Sequence, residues 1–547
     1  MRLVDGIARL ATKYENKTAW IERSANLAIK GFKDRNENQA GATSQIQYST
    51  WSWGDICVLT ASTAIRLMEL GVERQDRICN LGRNSLGWAI LDLACSAINA
   101  IHVPIDARIG LAQCDACIEL VAPKLLFLDD GADFSRFAER RILALQSLIH
   151  ASSKESLERL CTPYDANDVA NILFTSGTTG TNKGVMLTHR NLVTNAFAKL
   201  DAMPQVSEDH RLNFLPFSHA YARTCELSTW LLSYSSMETT SGIESVLDQA
   251  SLSQPTLING VPLFFERLEK LWADRSGSTS SLFEILGSKI RRLASGGAPI
   301  SGTLRKRFEL AGLPVFQGYG LTEASPVVCS NRKAKSLSDD HDKSDHLIEV
   351  GPAVKGVHVK IDDDSRLWVS GDGVMKGYWN DPVETQRRIV NGWLDTGDLA
   401  EYVLSNESTK SRAIRILGRA DDTIVLSSGY KIFPFAIEQL LRTQSWVREC
   451  MLVGNDRPFS ILLLKPNLDI MQSEVESQKE SSLHERTRSL LSSFPHYALP
   501  KAVLVCDEDW TTQSGLANFK GGLRRAKIEA FYSTTIELAY QKTRNLS

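Results

Sequence analysis

The chain has 547 residues, 62 basic against 64 acidic, and a formal net charge of −2. That length allows a large core and more than one domain, and that balance gives no electrostatic reason to expect a nucleic-acid or polybasic membrane partner. With 43% hydrophobic and 23% charged residues the composition is ordinary for a soluble globular protein. Asp5 and Arg9 fall where a signal peptide needs an unbroken apolar stretch. The most membrane-like run, Leu86 to Ile105, carries Asp92 and Asn99 and predicts a buried helix followed by a strand instead of a span. The expectation is a cytoplasmic protein with at most peripheral membrane contact. Of ten cysteines only Cys114 and Cys117 are close in sequence. Without a second Cys or His pair they read as one face of a helix, as reduced thiols and not as a zinc or redox site.

In chain order, the first part alternates strands and helices. Arg77-Ile-Cys-Asn-Leu reads as a strand, Ser85 to Ala100 as a helix, and His102-Val-Pro-Ile as a strand. Leu111 to Val121 follows as a helix, with strands at Leu125-Leu-Phe-Leu and Val169 to Phe174. Later a strand around Arg291 to Ala294, a helix near Thr303 to Ala311 and a strand at Leu313-Pro-Val-Phe-Gln repeat the pattern. Such alternation predicts α/β architecture with buried, parallel-type strands. Polar, breaker-rich stretches at Asp274 to Ser281 and Asn331 to His346 read as solvated insertions, and Asn406 to Arg412 as a hairpin tip. Beyond Arg419 the character changes. A strand at Thr423-Ile-Val-Leu, a helix from Phe435 to Leu441, and strands at Cys450-Met-Leu-Val and Ile461-Leu-Leu-Leu suggest a small α+β unit. A surface helix within Gln472 to Ser489 and a strand at Ala502-Val-Leu-Val complete it. The boundary is placed at Arg419 to Asp422, dividing the chain into residues 1–420 and 421–547.

The stretch Phe174-Thr-Ser-Gly-Thr-Thr-Gly-Thr-Asn-Lys183-Gly-Val sets glycines and hydroxyls before one lysine, directly after a strand. Glycines let backbone N–H groups approach a polyphosphate, and the hydroxyls and the ammonium add donors. Gly184 after Lys183 excludes a Walker A loop; taken alone, the string also describes a flexible loop. Five further strings follow it: Leu215-Pro-Phe-Ser-His219-Ala-Tyr-Ala-Arg-Thr, Ser295-Gly-Gly-Ala-Pro299, Gly318-Tyr-Gly-Leu-Thr-Glu323, Gly392-Trp-Leu-Asp-Thr-Gly-Asp398-Leu, and Leu417-Gly-Arg419-Ala-Asp421 continuing to Gly429. In this order they resemble the acyl-adenylate-forming (AMP-binding) superfamily, which includes acyl-CoA synthetases, luciferases and peptide-synthetase adenylation domains. The resemblance runs from Trp51 to about Arg525. Val425-Leu-Ser-Ser-Gly with Ile432-Phe-Pro434, and Ser218-His-Ala-Tyr-Ala-Arg-Thr, look like the long-chain fatty acid–CoA ligase branch.

The resemblance implies a large multi-subdomain α/β N-terminal domain with mixed, largely parallel sheets and a small mobile α+β C-terminal domain hinged at Asp421. It implies ATP- and Mg²⁺-dependent conversion of a medium- or long-chain fatty acid to acyl-AMP with release of pyrophosphate, then transfer to coenzyme A. An acyl carrier protein as acceptor, release at the acyl-AMP stage, and a weakened acyl-adenylate sensor are the alternatives. Thr175, Ser176, Gly177, Thr178, Thr179, Gly180 and Lys183 are the implied holders of the β- and γ-phosphates. Thr322 would donate to a phosphate, and Glu323 would bind the magnesium ion. Gly296, Gly297, Ala298, Gly318, Tyr319 and Gly320 would border adenine, with Tyr319 stacked on it; a core tyrosine with its hydroxyl satisfied is the bland alternative. Asp398 offers two acceptor oxygens to a ribose diol, within reach of Arg419. His219 would shape the approach of the carboxylate, which is ionised at neutral pH and needs no base. Ser427-Ser-Gly429 would enter the site in the second half-reaction.

One departure stands out. Members of this superfamily carry a catalytic lysine near the C-terminus, and here the text is Gly515-Leu-Ala-Asn-Phe-Lys520-Gly-Gly522-Leu-Arg-Arg525. Anchoring on Leu523-Arg-Arg puts Gly522 at the lysine position and Lys520 two residues earlier, a displacement of about 6–7 Å in extended chain. Lys520 is the candidate for the role if the Gly521-Gly522 backbone folds back; a solvated lysine is the alternative.

Overall fold

The computed structural model describes residues 2–24, 47–106, 108–129, 142–150, 155–176, 182–275, 278–331, 348–403, 412–467, 476–511, 513–517 and 522–544. Two large sheets carry the predicted strands. In the seven-stranded sheet the order is Gly377–Tyr378, Asn182–Thr188, Val169–Ser176, Ile101–Ile105, Arg77–Leu81, Leu125–Leu128 and Ile142–Ala144. The last five run parallel, and the first two are antiparallel to their neighbours. The eight-stranded sheet has six parallel strands, from Val315–Gly320 across to Thr18–Ser24, closed at its edges by antiparallel Val327–Ser330 and Gln47–Ser52. A third sheet, built on Trp393–Val403 and Ala413–Arg419, is antiparallel throughout. The mixed, largely parallel α/β expectation is met.

Between the two large sheets lies one continuous core in which the indoles of Trp20, Trp53, Trp88 and Trp230 are fully buried. Helix Leu86–Ala97 passes through it. Ser85 caps this helix by accepting from the Trp88 N–H at 3.2 Å, and almost every side chain on it is buried. Asp92, the charge that argued against a membrane span, is buried here with three partners. It pairs with His102 Nδ1 at 2.9 Å and accepts from Arg223 at 2.8 Å and Asn171 at 3.0 Å. A buried carboxylate survives only when paired in this way. Among the described residues no helix is long and apolar enough to cross a membrane. Cys114 and Cys117 sit buried on one face of helix Leu111–Val121, all ten cysteines are free thiols, and no group of metal-ligating side chains occurs among the described residues.

Residues beyond Asp422 build a three-stranded sheet from Val447–Val453, Ile461–Pro466 and Ala502–Val505. Its middle strand is buried on both faces because its side chains alternate. Leu462 and Leu464 face a cluster with helix Pro434–Arg442, while Ile461 and Leu463 face one with Ile528 and Tyr540 of the C-terminal helices. The helix expected within Gln472 to Ser489 spans Glu476–Leu490.

One expectation fails. Asp274 to Ser281 is not an insertion loop: Asp274 ends helix Pro262–Asp274, and Ser278 caps a new helix, Thr279–Leu286. The serines read as loop-formers, but at an N-cap a serine starts a helix. Residues 332–347 and 404–411, read as a surface insertion and a hairpin tip, lie outside the described residues.

Candidate active site

Strands Val169–Ser176 and Asn182–Thr188 form an antiparallel hairpin in which Thr175 and Lys183 are register partners. Lys183 therefore stands on a strand and not in a loop, as its glycine-rich flank suggested. Its ammonium reaches Glu384 Oε1 at 2.7 Å and lies 5.4 Å from the centre of the Tyr378 ring. Glu384 belongs to helix Pro382–Arg388, capped by Asp381, and Arg387 also grips it through Nε at 2.7 Å and a second N–H at 2.9 Å. Arg387 foremost, with Lys183, holds the Glu384 carboxyl down to about 2.

Strand Val315–Gly320 and the turn Thr322–Ala324 bring in the next group. The Glu323 carboxylate is buried and accepts from the Tyr378 hydroxyl at 2.9 Å. Burial and the facing Glu323 carboxylate push the Tyr378 phenol well above its ordinary range, so it remains a donor. Gly320 has no room for a side chain, since a Cβ there would lie 1.9 Å from the Pro326 carbonyl oxygen. Tyr319 donates to Asp398 Oδ2 at 2.5 Å, and Arg419 reaches Asp398 Oδ1 at 3.2 Å. Asp398 and Arg419 are themselves register partners on neighbouring antiparallel strands. Burial pushes the Asp398 carboxyl up, against the pull of Arg419 and Tyr319.

The opposite wall comes from His219 to Ser228. His219 precedes a short helical turn and pairs with Asp106 at 3.0 Å. Burial would raise the Asp106 carboxyl, but bonds from His219 and Arg108 outweigh it and hold it well below the usual range. The chain then makes a π-helical turn, Arg223–Ser228, which carries Cys225 into the cleft. Such turns concentrate at functional sites.

These walls enclose a cleft of about 320 Å³ lined by Thr175, Lys183, His219, Gly296, Gly297, Gly318, Tyr319, Gly320, Thr322, Glu323 and Arg419 among the sequence candidates. Asp421 lines it as well. Asp398 stands directly behind Tyr319 and Arg419, and Ala298 is outside the lining. Ser176 closes the first strand of the hairpin. Gly177, Thr178, Thr179, Gly180 and Lys520 lie outside the described residues.

The AMP-binding enzyme pattern matches residues 32–379, and that of the AMP-binding enzyme C-terminal domain matches residues 421–544. The chain belongs to the AMP-binding enzyme family. This is the acyl-adenylate-forming superfamily expected from its motifs. This AMP-binding enzyme is 27% identical over 474 residues to a long-chain-fatty-acid–CoA ligase of Mycobacterium bovis, across 74% of this chain and 76% of that one. It is 28% identical over 484 residues to a feruloyl-CoA synthase of an Amycolatopsis species, across 87% and 93% of the two chains. The crystal structure of ATP-bound MatB from Rhodopseudomonas palustris shares its fold, with a TM-score of 0.75 at 22% identity over 97% of this chain and 99% of that one.

Sequence reasoning missed part of the lining of this AMP-binding enzyme: Lys199, Tyr221, Cys225, Tyr378, Glu384, Arg387, Arg388 and Thr396. One signal was available. Gly377-Tyr378-Trp379 followed by Asp381-Pro382 marks a strand end and a helix start, with Pro at the first helical position and Asp as its cap. The paired arginines in the last turn then read only as complements to the helix dipole.

Proposed function

We propose that this AMP-binding enzyme joins a medium- or long-chain fatty acid to the α-phosphorus of ATP, releases pyrophosphate, and passes the acyl group of the resulting acyl-AMP to coenzyme A. The observation that carries this reading is one cleft in which Thr175 and Lys183, Thr322 and Glu323, and the Tyr319–Asp398–Arg419 cluster meet from distant parts of the chain. In the first step a carboxylate oxygen forms a bond to phosphorus as the bond to pyrophosphate breaks. Two anions have to be brought together, and the leaving group has to be neutralised. Lys183, Arg387 and Arg388 line the cleft and supply charge for the phosphates, once Lys183 exchanges Glu384 for a phosphate oxygen. Thr175 and Thr322 add hydroxyl donors.

The donor set fits a magnesium ion, for which one carboxylate, Glu323, and phosphate oxygens suffice. Bound there, the ion would offset phosphate charge. Each Asp398 oxygen keeps a lone pair beyond its bond to Tyr319 or Arg419, leaving room for ribose hydroxyls. His219, fixed by Asp106, would orient the incoming carboxylate. In the second step the thiol sulfur of coenzyme A would attack the acyl carbon and displace AMP, after rotation of residues 421–547 about Asp421 against residues 1–420. The fatty-acid assignment is supported by the Ser218 to Thr224 string and by the likeness to a ligase of that name.

Mass spectrometry of products from ATP, Mg²⁺ and a fatty-acid panel, with and without coenzyme A, tests the proposal. Acyl-CoA is the expected product. Accumulation of acyl-AMP in the presence of coenzyme A would replace it with a carrier-protein acceptor or an adenylate-releasing enzyme. Lys520→Ala is expected to slow acyl-AMP formation far more than transfer from preformed acyl-AMP. Equal loss in both steps would remove Lys520 from that role.

A further inference from the structure

One wall of the cleft contains a charge that the reaction proposed above does not use. Helix His189–Ala202 carries Lys199, which is 4% exposed and lines the cleft. Among the described residues its ammonium has one polar partner, the Met203 sulfur at 3.4 Å. A thioether is a weak acceptor, whereas an ammonium carries three donors. The nearby carboxylate is committed elsewhere: Glu226 accepts from Asn259 at 2.7 Å and faces Arg211 at 3.4 Å. Lys199 still lies close enough for its charge to favour the ionised forms of Glu226 and Cys225.

Beside these polar neighbours, the helix residues flanking Lys199 pack into an apolar cluster. Ala198, Ala202, Cys225, Val327 and Val354 form a small buried cluster, with Tyr221 packed against it. The Tyr221 ring lies against Gly296, where a Cβ would come within 2.8 Å of it, so the ring is fixed in place. Its hydroxyl is buried and has no hydrogen-bond partner among the described residues. Lys199 and Tyr221 therefore both line the cleft, and both lie close to Cys225 and Glu226. A plain hydrocarbon tail would leave both unmatched, which is the costly arrangement for buried polar groups. An acceptor oxygen on the tail would answer both, and an anionic one would also answer the charge.

We propose that Lys199 and the Tyr221 hydroxyl form a subsite for a second carboxylate, so that the preferred substrate is an acid whose acyl tail itself ends in a carboxylate. This rests on the ligase reading given above. The test uses the full-length enzyme with matched series of linear alkanoic and α,ω-dicarboxylic acids of increasing length, following kcat/KM by pyrophosphate release. Wild type is expected to favour the dicarboxylic acid at one chain length by about tenfold or more, the equivalent of about 1.4 kcal/mol. Lys199→Met should bring that ratio close to one, and Tyr221→Phe should lower it in part.

If alkanoic acids are used as well as or better than dicarboxylic acids at every length, the subsite falls and the ligase reading stands. A wild-type preference that survives Lys199→Met also overturns the assignment. If neither series yields acyl-AMP or acyl-CoA, both readings fall together. The wild-type panel decides the matter even where the methionine variant does not fold.

Discussion

The two ends of the cleft treat charge in opposite ways. Around Lys183 and Asp398 the charges are paired: Lys183 and Arg387 share Glu384, Tyr378 donates to Glu323, and Arg419 and Tyr319 hold Asp398. Around Lys199, among the described residues, a buried ammonium has one hydrogen-bond partner, a sulfur, and the buried Tyr221 phenol has none. The first arrangement keeps a cluster of cations stable and already oriented; on the proposed reading a polyphosphate would substitute for carboxylates within it. The second leaves recognition to whatever acid enters. On the proposed reading, reactivity would be built from residues that satisfy one another, and selectivity from residues that do not.

Removing the central cation should have the largest effect. Lys183→Met is expected to slow acyl-AMP formation by about 10²–10³-fold, the usual cost of one preorganised charge-stabilising donor. A loss under tenfold in pyrophosphate release would show that Arg387 and Arg388 suffice at that end. The wall from His219 to Ser228 can be loosened from behind by Asp92→Asn, which strips the buried Arg223 of its countercharge and should cost about 3–5 kcal/mol in urea unfolding. Burial opposes ionisation of Asp92, but Arg223, His102 and Asn171 outweigh it and bring the carboxyl down to about 2. Because the folded value lies below the ordinary one of about 3.9, its contribution is present above pH ~4 and is lost as pH falls toward 2. The variant should lack that part of the acid-unfolding profile.

Tyr378→Phe should act more mildly, raising the Mg²⁺ concentration for half-maximal rate by about tenfold, as for other groups that orient a metal-binding carboxylate. The smallest effect is expected from Glu384→Gln. Freed of its countercharge, Lys183 should lower KM for ATP by about two- to fivefold, the scale of one partly exposed ion pair. A rise in KM would mean that Glu384 positions Lys183 and does not compete for it.

The convergence of Thr175, Lys183, Thr322 and Glu323 on one cleft was largely legible in the sequence because these residues come in strings. Thr322 and Glu323 follow Gly-Tyr-Gly-Leu, and Asp398 closes Leu-Asp-Thr-Gly-Asp, so neighbours along the chain announce them. Tyr378, Glu384 and Lys199 were not legible. Each is one polar residue on a strand or helix, and its meaning depends on what faces it across the fold: Glu323, Lys183 and the Cys225 turn respectively. The α/β layering followed from apolar periodicity, including the buried Leu86–Ala97 helix. The helices on either side of residues 276–277 were missed because serine serves both loops and caps. Asp398 was read as an acceptor for ribose; that Tyr319 and Arg419 already touch both its oxygens is visible only in three dimensions.

The direct opposition of Thr175 and Lys183 has a consequence for protein engineers and for those who assign function by motif. Along a strand, consecutive side chains point to opposite faces, so these two share a face of the cleft only because the hairpin is in phase. Sliding one strand past the other by a single position would preserve every letter of the signature and most of the hydrogen-bonded ladder. It would nevertheless bring Asn182 or Gly184 opposite Thr175 and turn the ammonium away. A shift of one position in the pairing is therefore expected to retain the motif and lose acyl-AMP formation, which pyrophosphate release would measure.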